Sequence, residues 1–159
     1  LVTLVSFGRY QRVLELAAEH HPDMSCDSAP LDRSGVFRAI NVSLALERSG
    51  EIECAARLLD AALELTKTLP RLGGRGYGIA DVEIYARQGR TELALTKLRE
   101  AIDAGWRSFW WAQGLTSPHN ANIAEDPRFI AMMDEIRADM KVQLDNVRRM
   151  EANGELALP

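Results

Sequence analysis

Arg48-Ser49-Gly50, followed by Ala55, Leu59 and Ala62, returns 39 positions further on as Arg87-Gln88-Gly89, followed by Ala94, Leu98 and Ala101. Both stretches read G-x4-A-x3-L-x2-A, and a large apolar residue, Leu46 or Tyr85, stands four residues before each glycine. That spacing describes a helical hairpin. Glycine closes the first helix because a left-handed residue costs it least. The alanine one turn into the second helix lets two axes approach closely, and the leucine and second alanine continue the same face.

Working outward from this pair, apolar residues recur at three- and four-residue spacing, and no stretch alternates long enough for a strand. The glycines and prolines fall between these patterns or at their ends, where helix breakers belong. The chain therefore reads as all-α. Upstream, Gly8-Arg9-Tyr10 with Val13, Leu14, Leu16 and Ala17 reads as the second helix of a partial unit, its first helix expected largely before residue 1. Because the sequence begins with Leu rather than Met, the chain is expected to be part of a larger protein.

Downstream, Trp106, Phe109, Trp110 and Trp111 crowd together. The helical spacing of the first three suggests a core plug, whereas the same rings exposed would serve a partner. Asp126-Pro127 is a strong helix start. From there Phe129, Met133, Ile136, Met140, Leu144, Val147 and Met150 keep helical spacing until Asn153-Gly154. A helix over 127–152 would be about 39 Å long. It is expected to cap the last hairpin by packing near residues 91–104, with Trp106 and Trp110 in the corner.

Composition narrows the function. The 159 residues carry a net charge of −4 with no clustered cations, so nucleic acid is not expected as a partner. Sixteen of the nineteen basic residues are Arg, which favours fixed, two-point ion pairs. No apolar run reaches the ~18 residues of a membrane span, so direct membrane insertion is not expected. Cys26 and Cys54 belong to no short-spaced pair, and they suggest neither a metal motif nor a disulfide framework. His20, His21, Asp23 and Cys26 have zinc-binding side chains at a spacing that fits no structural zinc motif, so a solvated loop is expected there. Residues 73–78 are glycine-rich but lack the Lys-Ser or Lys-Thr of a phosphate loop. They read as a turn, with Arg71 and Arg75 open to an acidic partner. No nucleophile-and-base arrangement has local support. The expectation is a protein without cofactor or metal that is not an enzyme.

The order glycine, alanine, large apolar, alanine resembles the tetratricopeptide repeat family, whose unit is a pair of antiparallel helices. The likeness covers residues 36–68 and 77–104. It departs in lacking the first-helix tryptophan and the closing proline, and in a period five residues above the family's ~34, an excess that 70–76 can absorb. The resemblance implies one domain over 1–159, an alpha-alpha superhelix. Its parts would be a partial repeat (1–20), two repeats (36–68 and 77–104), a Trp-rich connector (105–124) and a long capping helix (127–152). Ala104-Gly105-Trp106-Arg107, Trp110-Trp111 and Asp126-Pro127-Arg128-Phe129 make residues 70–152 similar to the C-terminal region of bacterial regulatory proteins. In these, tetratricopeptide arrays follow an adenylate cyclase, winged-helix or kinase domain.

What the resemblance implies is a scaffold in bacterial signalling or transcriptional regulation, holding a protein or peptide partner, a helix or extended segment, in the groove lined by first helices. Carried onto this sequence, the groove residues are Phe37, Ile40, Leu44, Arg48, Ile79, Glu83 and Arg87. Asn41 resembles the carboxylate-clamp subgroup, but Gly76 and Ala80 stand where the next unit should supply basic residues. The alternative is a homodimer, joined through 127–152, that brings attached catalytic or DNA-binding domains together; an enzyme is a remote third. The compartment would be the cytoplasm, or the periplasmic side of a membrane-anchored protein.

Overall fold

The computed structural model describes residues 1–24, 35–74 and 76–156, without the side chain of Asp23. Among these residues every regular element is helical and no strand occurs. The α-helices are α1 (Val2–Ser6), α2 (Tyr10–His20), α3 (Gly35–Arg48), α4 (Ile52–Thr66), α5 (Ala80–Arg87), α6 (Thr91–Asp103) and α7 (Pro127–Ala152). Short 3-10 turns lie at Pro22–Met24 and Pro118–Asn120, and a π-helical turn at Trp111–Leu115.

The two matching sequence stretches build matching hairpins, α3 with α4 and α5 with α6. Their turns close identically. Gly50 (φ 91°) and Gly89 (φ 69°) take the left-handed backbone. The next amide then reaches back, Glu51 N to Leu46 O and Arg90 N to Tyr85 O, both at 2.9 Å. This is the back-bonded helix end that satisfies orphan carbonyls. The Leu46 and Tyr85 positions noted in the sequence supply those carbonyls. Ala55, Leu59 and Ala62 are buried on one face of α4, as are Ala94, Leu98 and Ala101 on α6.

Two apolar clusters result. Val5, Val13 and Ala17 join buried residues of α3 and α4 in the first; α6 joins Trp106, Ile123 and the proximal residues of α7 in the second. Helix α5 belongs to both, giving Ala80 and Ile84 to the first and Val82 and Ala86 to the second.

Helix α7 starts where the sequence indicated, with Asp126 Oδ1 accepting from Arg128 N at 2.8 Å. Its proximal half lies on α6, burying Phe129, Met133 and Ile136. Arginines frame the contact: Arg99 grips Glu135 through two bonds (2.6 and 2.9 Å), Arg128 grips Glu92 likewise (both 2.8 Å), and Arg107 Nε reaches Asp139 at 2.6 Å. The distal half is uncovered, with Leu144 48 % and Val147 42 % exposed.

Three expectations need correction. The aromatic plug forms only in part: Trp106 is buried and Trp110 half-buried, but Phe109, held at φ 49°, is exposed together with Trp111. The positive φ breaks the helical register that would have aligned the three rings. Arg71 is not open to a partner, because Asp81 and the Gly78 carbonyl hold its guanidinium; Arg75 lies outside the described residues. Cys54, buried in α4, is disulfide-bonded. Cys26 and the Asp23 side chain of the considered zinc set lie outside the described residues.

Candidate functional site

The first helices of the two hairpins, α3 and α5, run side by side, and the connector after α6 crosses their shared face. A π turn folds that connector back. Asn120 then locks it, its Nδ2 donating to the carbonyls of Gln113 (2.7 Å) and Gly114 (3.2 Å). A Cβ at Gly114 would come within 2.5 Å of the Met133 sulfur, so that flexible side chain would have to shift. The 3-10 turn Pro118–Asn120 sits on α5, and Asn122 Nδ2 donates to Ala86 O at 2.9 Å.

Between the connector and the helices is a cavity of about 70 Å³, bounded by Val2 and Ser6 of α1, Phe37 and Asn41 of α3, Glu83 of α5 and connector residues up to His119. Its polar groups form a short network. Ser117 Oγ donates to Glu83 Oε1 at 2.7 Å. Asn41 Nδ2 donates to Phe37 O at 2.6 Å, which fixes its Oδ1 as an acceptor facing His119 Nε2 at 3.4 Å. The imidazole proton therefore belongs on Nε2, leaving Nδ1 an acceptor, buried and without a partner.

Burial dominates the electrostatics. It raises the Glu83 carboxyl to about 7, against the opposing pull of the Ser117 bond and of Arg87. His119 is lowered to about 3 by burial and by the Arg87 charge, so its ring is neutral in ordinary buffers. Arg87 is turned away from Glu83 toward α3. There it donates to Ile40 O (3.1 Å) and Ser43 Oγ (2.5 Å), and pairs with Glu47. Burial lowers its pKa, and Glu47 works to hold it charged.

The residues carried over as groove-lining therefore separate. Phe37 and Glu83 border the cavity. Ile40, Leu44 and Ile79 are core residues, exposed by 3 % or less, and are not available to a partner. Arg87 is enclosed as a strut between α3 and α5, and Arg48 is exposed at the helix end. The physical reason is that Ile40 and Leu44 pack in the first apolar cluster and Ile79 in the second, while residues 117–122 lie against Asn41, Glu83 and Ala86. Ser117 and His119 were missed as site residues; Ser117-Pro118, a helix-start pair like Asp126-Pro127, was the available signal.

Chemically, the cavity offers hydrogen-bond acceptors. The Ser117 hydroxyl donates to the Glu83 carboxylate rather than to the His119 imidazole. No protein-family model, curated protein or solved structure matches this chain.

Proposed function

We propose that the chain is a non-catalytic interaction module of tetratricopeptide-like hairpins, an alpha-alpha superhelix within a larger regulatory protein, and that it works by joining protein surfaces. The hairpins repeat with one turn chemistry and one packing face, which supports the repeat reading. The observation that carries the functional reading is the stripe of α7. Phe129, Met133, Ile136, Met140, Leu144 and Val147 share one face. The fold covers that face as far as the half-buried Met140 and leaves Leu144 and Val147 exposed before the half-buried Met150.

A second copy of the chain is the occupant that fits best. An antiparallel, two-fold contact sets Leu144 against Val147 of the other copy, and each pairing occurs twice. Lys141 then comes toward Glu151 of that copy, a favourable charge pairing. Such a contact would bring attached signalling or DNA-binding domains together. Sedimentation analysis tests it: the unaltered chain should dimerise, and L144D/V147D should be monomeric with unchanged helicity. A monomeric unaltered chain, or a double variant that still dimerises, would sink the reading.

The second reading, a partner segment in the α3–α5 groove, is supported by the way the connector lies there, held by few side-chain bonds as a bound segment would be. It requires residues 117–122 to leave. Replacing Ser117 and Asn122 by Ala should then raise affinity for a partner.

A further inference from the structure

We propose that the cavity between α1, α3, α5 and the connector binds a small aliphatic amine in its ammonium form. This inference does not depend on self-association, because the distal half of α7 takes no part in the cavity.

The hydrogen-bond inventory points to a donor ligand. Glu83 Oε1 accepts from Ser117, whereas Oε2 takes no hydrogen bond among the described residues. His119 Nδ1 is also unpartnered, but it is closed off from water and takes no part in the contact. The donors nearby are largely used: one Asn41 N–H on Phe37 O, the Ser117 hydroxyl on Glu83 and the Ser6 hydroxyl on Val2 O. Gln113 contributes an amide that can serve either way. Arg87, the cation closest in sequence, is bonded to α3 and leaves the Glu83 carboxylate unpaired. A buried carboxylate without a cation is an unmet electrostatic demand, and an ammonium answers it with charge and three donors.

The walls fit the rest of such a ligand. Val2, Phe37 and Pro118 are apolar and suit an alkyl stem, and a phenyl ring attracts a cation placed over its face. The volume of about 70 Å³ holds roughly five water-sized groups, the size of a four-carbon amine. Val2, on the rim, is largely exposed, so the cavity can be entered.

Binding should strengthen with pH. Glu83 ionises near 7, and an alkylamine stays protonated to about 10. The charged group acting on Glu83 is Arg87, on its own helix; His119, on the connector, is the other titratable group that lines the cavity, and α1 and α3 bring only Val2, Ser6, Phe37 and Asn41.

The test titrates the full chain with n-butylamine at pH 8, followed by amide chemical shifts. Saturable binding with shifts at Phe37, Glu83 and His119 is expected. It should weaken at least tenfold for 1-butanol and butyrate, at pH 6, and in Glu83→Gln, which keeps the shape and the Ser117 acceptor. Should Glu83→Gln fail to fold, the three ligands on unaltered protein decide the matter. A blocked Gly-Lys-Gly peptide separates the sources: binding of both probes indicates a lysine side chain, and binding of butylamine alone indicates a free amine. No saturable binding, or equal binding of butanol, overturns the proposal.

Discussion

Arg71 and Asp81 meet through two parallel hydrogen bonds, Nη1 to Oδ1 at 3.1 Å and Nη2 to Oδ2 at 2.8 Å, with both side chains largely withdrawn from water. The pair fastens the loop before α5 to the first turn of that helix. Arg71 also donates to Gly78 O and lies over the Tyr77 ring at 4.8 Å, so one side chain organises the whole approach to the second hairpin. Arg71→Met would leave the Asp81 charge buried without its partner. A loss of about 3–5 kcal/mol is expected in urea unfolding. Arg71→Lys should lose less, because it keeps the charge and gives up only the fork.

Glu83 and His119 pull stability in opposite directions as pH changes. The Glu83 carboxyl is raised from 4.5 to about 7, so the folded chain holds a proton the unfolded chain releases, and stability falls as pH rises through that window. His119 is lowered from 6.5 to about 3, so the unfolded chain binds the extra proton, and stability rises with pH across 3 to 6.5. Between about 4.5 and 6.5 the two slopes largely cancel. Glu83→Gln should expose the rising slope and His119→Gln the falling one. Melting temperatures measured every half pH unit check both; parallel curves for the two variants would contradict the assignment.

The loop glycines should differ sharply in tolerance. A Cβ at Gly76 would strike the backbone of Arg71 and Leu72, whereas one at Gly74 meets nothing within 4 Å. Gly76→Ala is expected to lose about 1–3 kcal/mol through forced backbone displacement. Gly74→Ala should stay within about 0.5 kcal/mol. Thermal melts of the two single variants give the comparison.

One stripe of α7 should give two different answers. Ile136 is fully buried, so Ile136→Ala should cost about 2–5 kcal/mol. Leu144 is 48 % exposed, and Leu144→Ala should leave monomer stability within about 0.5 kcal/mol while weakening any dimer. Unfolding at low and high protein concentration separates these effects.

The elements legible in the sequence were those set by local chemistry. Gly50 and Gly89 ended helices because a left-handed residue was needed, and Asp126-Pro127 began one because both residues suit a helix start. The α6–α7 contact was legible too, since a stripe on a capped helix after a hairpin has a nearby apolar face to cover. What local spacing could not reveal was the path of the connector. Its course depends on Asn120 folding the connector back on its own carbonyls, on Asn122 reaching the distant Ala86 carbonyl, and on a positive φ at Phe109 that aromatic spacing does not announce. The candidate site was obscured for the same reason. Glu83 was singled out as a groove residue, but the connector that closes over it brings Ser117 and His119 from 34 and 36 positions away.

Helix α5 is only eight residues long, too short to persist alone in water. Yet it contributes to both apolar clusters, so neither can dissolve without removing a wall of the other. The amide protons of α5 should therefore exchange with deuterium only by global opening, more slowly than those of the distal half of the much longer α7. Protection from exchange would then run opposite to helix length, with the least self-sufficient helix the last to open.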